Sequence, residues 1–170
     1  MARGHRKAAL STDLLLAAIP HVAHDAMLLR QAFQFHTLRV GWTTWFVMAR
    51  NMAIFFDVAG SGGRKDDIRA SQFFRLRTDT AARWSAAKAA RLAEAPPSLG
   101  DLHSHASQAV AHLSWMRVRQ PEVQTPSRAV TKVLQGLWGD FAQCAPEPYR
   151  AEIRRAWRAL HPRPRKADDD

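Results

Sequence analysis

Residues 42–58 read Trp-Thr-Thr-Trp-Phe-Val-Met-Ala-Arg-Asn-Met-Ala-Ile-Phe-Phe-Asp-Val, the most apolar stretch of the chain. Within it Trp45, Met48, Met52, Phe55 and Phe56 recur at steps of three and four residues, the spacing of one helical face. The other positions are apolar nearly all round, so this helix is expected at the centre of the core. Gly41 is expected to end the unit before it, and Thr43 or Thr44 to cap the new helix. Arg50, Asn51 and Asp57 interrupt the run and exclude a membrane span.

The same period extends outward in both directions. Upstream, Ser11-Thr12-Asp13 is a cap cluster ahead of Leu14, and Val22, Ala26, Leu29 and Phe33 mark one helical face. Pro20 either kinks one long helix or opens a second one at its first turn. Downstream, Gly60-Ser61-Gly62-Gly63 reads as a loop, and Asp66-Asp67 can start a short helix carrying Ile68, Phe73 and Phe74. Thr80 to Ala95 is rich in alanine and helix-permissive, and Pro96-Pro97 stops it. Ser98 can cap a helix from Leu99 to about Arg119, ended by Pro121. Ser127 opens another through Val130, Val133, Leu134, Leu137, Trp138 and Phe141. Glu147 to Leu160 is the last amphipathic stretch, with Tyr149, Ile153 and Trp157 at four-residue spacing.

No stretch alternates with the period of a strand, and no repeat is visible. The expectation is an all-α fold, a single-domain bundle of four to six helices over residues 11–160. A basic disordered N-terminus, 1–10, and a disordered charged tail, 161–170, flank it.

Composition narrows the function classes. Of 170 residues, 46% are hydrophobic and 24% charged, which excludes a wholly disordered chain. A single cysteine, Cys144, excludes an intramolecular disulfide and any site built on several thiolates. The formal net charge of +10 sits mainly near the ends. Residues 150–166 carry six Arg and one Lys against Glu152, and residues 1–7 carry Arg3, Arg6 and Lys7. Such ends attract phosphates without reading sequence, and serve equally well as solubilising tails. Leu14 to Ile19 gives six apolar residues before Pro20, short of the roughly 7–15 of a secretory core. A cytoplasmic protein with no membrane association is expected.

Few residues invite chemistry. Arg50 lies amid the apolar run and must find a partner or reach an edge, because burying a lone charge costs several kcal/mol. Asp25 is a plausible mate. Either the two pin their helices together, or Asp25, Arg50 and Asn51 line a polar pocket or an interface. His112 lies in a second apolar run with Arg117 five residues on. A neutral histidine there serves acid–base chemistry, although a satisfied core histidine is the commoner outcome. His21-x-x-His24 beside Asp25 has the spacing of one helical face, but with four Glu in the chain the paired carboxylates of a di-metal bundle are missing. No metal and no cofactor are expected: no phosphate-binding loop, dinucleotide fingerprint or nucleophile elbow occurs. Arg154, Arg155 and Arg158 around Trp157 could hold nucleic acid, or frame a tryptophan that packs on the bundle.

Two stretches carry a resemblance. Residues 22–57, from Val-Ala-His-Asp-Ala-Met-Leu-Leu to Met-Ala-Arg-Asn-Met-Ala-Ile-Phe-Phe, and residues 109–117, Ala-Val-Ala-His-Leu-Ser-Trp-Met-Arg, resemble a family of uncharacterised bacterial all-helical proteins. That family has an acidic residue on its first helix, a His-Ala-Arg-Asn run on its second and a later Ala-His-Leu…Arg segment. It is similar in pattern to HEPN domains, many of them ribonucleases of toxin–antitoxin and phage-defence systems. The HEPN signature sets a phosphate-binding Arg before an acid–base His on one helix, at a dimer interface. His112 matches the His, but His105, Ala106, Ser107 and Gln108 stand where the Arg belongs, and Met48 stands where the family has His. The resemblance therefore implies a non-catalytic HEPN-like domain acting through a protein partner or as a homodimer, in a bacterial defence or toxin–antitoxin setting. Two alternatives stay open: a metal-independent ribonuclease using His112 with Arg50 or Arg117, and a basic module that binds RNA or other nucleic acid.

Overall fold

The computed structural model describes residues 10–35, 39–58, 64, 67–100, 102 and 127–161. Among them the chain forms five α-helices: α1 (Thr12–Gln34), α2 (Arg39–Phe55), α3 (Thr78–Ala93), α4 (Arg128–Cys144) and α5 (Tyr149–Leu160). Two short 3-10 segments, Ala70–Phe74 and Pro97–Leu99, lie between α2 and α4. The described residues contain no strand, and the fold is all-α. No helix among them is long and apolar enough to cross a membrane.

The starts of α1 and α4 follow from local chemistry. The Ser11 hydroxyl accepts from the Leu14 N–H at 3.2 Å, and the Ser127 hydroxyl from the Val130 N–H at 3.3 Å, each satisfying a donor the helix leaves unpaired. Pro20 lies inside α1, which runs 23 residues through it. The buried face of α1 is Leu15, Ile19, Ala23, Ala26, Leu29 and Ala32, with Val22 and Phe33 at its margin. Three alanines on that face let neighbouring backbones come close.

Two expected boundaries are corrected. Gly41 does not separate two units: α2 begins at Arg39, so Gly41 lies in its first turn and neither Thr43 nor Thr44 is the cap. A Cβ at Gly41 would overlap the Phe35 carbonyl oxygen and sit 2.6 Å from its carbon, so glycine is there to let the end of α1 approach. Asp66-Asp67 does not start the helix of Phe73 and Phe74 either. That helix is the 3-10 segment from Ala70, and the Gln72 side chain accepts from the Arg69 N–H at 2.8 Å to fix its start. The helix expected from Leu99 to Arg119 lies outside the described residues apart from Leu99, Gly100 and Leu102, and the two terminal tails apart from Leu10 and His161; Ser98 lies inside the Pro97–Leu99 segment and is not a cap.

Packing centres on rings. α1 lies against α2, α4 and α5, and α3 against α4 and the Ala70–Phe74 segment. Phe141 of α4 is 1% exposed, with Phe55, Phe56, Phe73, Phe74, Trp84 and Trp138 at ring centroid distances of 5.2–6.3 Å. Most of these pairs meet edge to face, the arrangement the ring quadrupoles favour. Trp45 is buried with its indole N–H donating to the Thr131 hydroxyl at 2.8 Å, and that hydroxyl donates to the Ser127 carbonyl at 2.9 Å. The chain of bonds satisfies the polar end of a buried tryptophan and ties α2 to the start of α4.

Candidate functional site

The α1–α2 pair brings two of the sequence-derived residues together. The Asn51 amide donates to the Asp25 carboxylate at 3.2 Å, and both line an open cleft of about 190 Å³ with Asp67, Val22 and Ile68. Arg50, the partner the charge pattern suggested for Asp25, is half-buried one position earlier on α2. Adjacent helical residues point about 100° apart, so it is the amide of position 51 that faces α1. Burial pushes the Asp25 carboxyl above its ordinary range, and the Asn51 hydrogen bond and the fields of His24 and His21 only partly oppose this. Among the described residues no group of three His, Cys, Asp or Glu side chains converges as a metal site.

A carboxyl raised in this way has a defined thermodynamic sign. Between its unfolded value and its raised folded value the native state holds more protons than the unfolded one, so stability falls as pH rises through that window. Asp25 therefore costs stability above the window. Asp25→Asn is expected to be no more stable than wild type near pH 3 and progressively more stable above about pH 4, with a plateau past the raised value. Urea unfolding of both proteins across that range checks the slope, and a difference that does not change with pH would refute it.

A polar cluster that sequence reading missed closes the end of α2. Asp57 sits in the left-handed region with φ of 52°, where a side chain other than glycine is uncommon. Its carboxylate takes the Arg69 guanidinium at 2.6 Å and the Ser71 hydroxyl at 3.1 Å, and its carbonyl accepts from the Lys88 ammonium at 3.1 Å. Partial burial pulls the Lys88 ammonium below its usual range, and Arg69 adds to this while the Asp57 charge opposes it. The cluster joins α2, the 3-10 segment and α3, and every described group in it has a partner.

A second cleft, of about 250 Å³, lies where the Ala70–Phe74 segment meets the starts of α1 and α5. Phe73, Tyr149 and Leu15 form a buried floor. Arg75, Leu76 and Arg77 and the Pro146-Glu147-Pro148 turn also line it. Leu76 is 89% exposed, against 46% for Leu14 and 58% for Phe35, the other exposed large hydrophobic residues described. Nothing in the apolar periodicity marked Leu76. The usable signal is a leucine set between two arginines directly after a buried aromatic pair.

The arginines of α5 are engaged locally. Arg155 grips Glu152 with two N–H donors at 2.8 and 2.7 Å, Arg154 lies 3.9 Å from Glu147, and Arg158 donates to the Arg154 carbonyl at 3.2 Å. Trp157 packs with its ring centroid 5.9 Å from Trp138 and 4.3 Å from His161. His112 and Arg117 lie outside the described residues. Compared with protein-family models, curated proteins and solved structures, the chain finds no significant match.

Proposed function

We propose that this chain is a non-catalytic helical domain that works by binding another protein through the surface around Leu76. One observation carries the proposal: a leucine 89% exposed at the mouth of a cleft with an aromatic floor. Single exposed hydrophobic residues are ordinary on protein surfaces, but one beside a concave apolar floor provides the buried centre a contact needs. The polar clusters are consistent with this, because Asp57, Arg69 and Lys88 are spent on one another and Asp25 on Asn51. The HEPN-like pattern supports the same view from the sequence, since its nuclease signature lacks the Arg before His112. In that setting the domain is one half of a defence or toxin–antitoxin pair.

A photo-crosslinking residue at position 76, in the cells that make the protein, is expected to yield one discrete protein adduct. The same residue at the exposed position 83 of α3 should yield none. No adduct at 76, or identical adducts at both positions, would overturn the proposal. Purified protein is also expected to leave RNA intact in EDTA, wild type and His112→Ala alike. Cleavage by the wild type that the variant loses, with helical circular dichroism unchanged, would replace this reading by the catalytic one.

A further inference from the structure

We infer that the cleft beside Leu76 takes an acidic protein segment that inserts one large apolar side chain. The inference rests on the interaction reading above and adds the chemistry of the partner. Size gives the first argument. Pockets that enclose a small molecule run from about 300 to 1,000 Å³, and this cleft holds about 250 Å³. That suits one inserted side chain better than a whole organic ligand. Its floor of Phe73, Tyr149 and Leu15 is apolar, and Leu76 stands beside it ready to be covered.

Charge gives the second argument. Arg69, Arg91, Arg154 and Arg155 each lie within 4 Å of a carboxylate. Arg75 and Arg77 are exposed on either side of Leu76, and among the described residues neither guanidinium meets a carboxylate. The acidic side chain among the lining residues, Glu147, is engaged with α5, where it accepts from the Ala151 N–H at 3.1 Å and lies 3.9 Å from Arg154. The mouth of the cleft therefore presents two unspent forks of donors around one aliphatic side chain. A guanidinium fork matches a carboxylate with two parallel hydrogen bonds. A segment with acidic residues flanking a Leu, Ile, Phe or Trp meets all three features at once. The ionic part is exposed and must weaken with salt, while the apolar anchor must not.

The test uses isotope-labelled full-length protein and three probes: pooled short peptides with one Leu, Ile, Phe or Trp among Asp and Glu, the same pool with Lys for every acid, and oligouridylate. With the acidic pool, amide shifts are expected at residues 72–77 and at Glu147 and Tyr149, falling as salt rises. Arg75→Ala/Arg77→Ala should bind about tenfold more weakly, in line with two exposed ion pairs, with the rest of its spectrum unchanged. Equal binding of the lysine pool, stronger shifts of the same amides by oligouridylate, or no shift there would overturn the inference. So would a wild-type dimer that Leu76→Asp dissociates, since the occupant would then be a second copy. A crosslinked adduct at position 76 together with a silent acidic pool removes the acidic chemistry alone. Loss of the adduct itself removes the interaction reading.

Discussion

Phe141→Ala is expected to lower the unfolding free energy by about 3–5 kcal/mol, the range for emptying a buried aromatic site. Three features place it near the top of that range. The ring is 1% exposed, so the whole side chain is lost from the interior. Its neighbours come from every side: Phe55 and Phe56 at the end of α2, Phe73 and Phe74 of the 3-10 segment, Trp84 of α3 and Trp138 of α4. Those rings also hold one another, as Phe74 stacks on Trp84 at 5.7 Å and Phe73 meets Tyr149 at 5.1 Å, so they cannot all collapse into the space. Small domains have about 5–15 kcal/mol in total, so the loss is about a fifth or more of the whole stability. Phe141→Leu leaves a smaller void but still gives up the ring contacts, so it should cost less than the alanine variant while remaining destabilised. Urea unfolding followed by tryptophan fluorescence measures both. A loss below about 1 kcal/mol for the alanine variant would mean that the site relaxes, and that Phe141 is not the hub.

How far such a hub is legible depends on the residue. The apolar run of 42–58 announced α2, and of its expected face Trp45, Met52, Phe55 and Phe56 are buried, while Met48 is only partly buried and Ala49 takes the interior place beside it. Ser11 and Ser127 announced the helices they cap. Both signals are local, and local signals survive folding. What the sequence did not disclose is decided by contacts between distant segments. Phe73 and Phe74 stand on a 3-10 turn because their rings must reach Phe141 and Tyr149, a demand no window of neighbouring residues contains. Charge pointed from Asp25 to Arg50, whereas the angular position of each residue on α2 gave the contact to Asn51. The Arg75–Leu76–Arg77 wall becomes a cleft only when Tyr149 is brought beside Phe73. Asp57 carries no sequence mark of its left-handed backbone, which the grips of Arg69 and Ser71 on its carboxylate and of Lys88 on its carbonyl hold in place.

Two glycines on helices separate local propensity from packing by the sign of one substitution. Gly139 lies inside α4, and a Cβ built on it meets nothing within 4 Å. Gly139→Ala should therefore gain about 0.5–1 kcal/mol, the intrinsic preference of a helix interior for alanine over glycine. Propensity predicts the same gain at Gly41, which is also helical. Packing predicts the reverse. The new methyl would overlap the Phe35 carbonyl oxygen and lie 3.2 Å from the Phe35 Cβ. The obstacle is main chain at the end of α1, which accepts no rotamer change, so relief requires moving one helix end against the other. Overpacking of this kind costs about 1–3 kcal/mol, and the loss falls on the α1–α2 contact that holds Asp25 against Asn51. Gly41→Ala should thus be destabilised by about 2 kcal/mol while Gly139→Ala is stabilised, a gap of about 3 kcal/mol between chemically identical changes. A gain at both positions in urea unfolding would show that the end of α1 does not press on Gly41, and that helix propensity alone sets the effect at both sites.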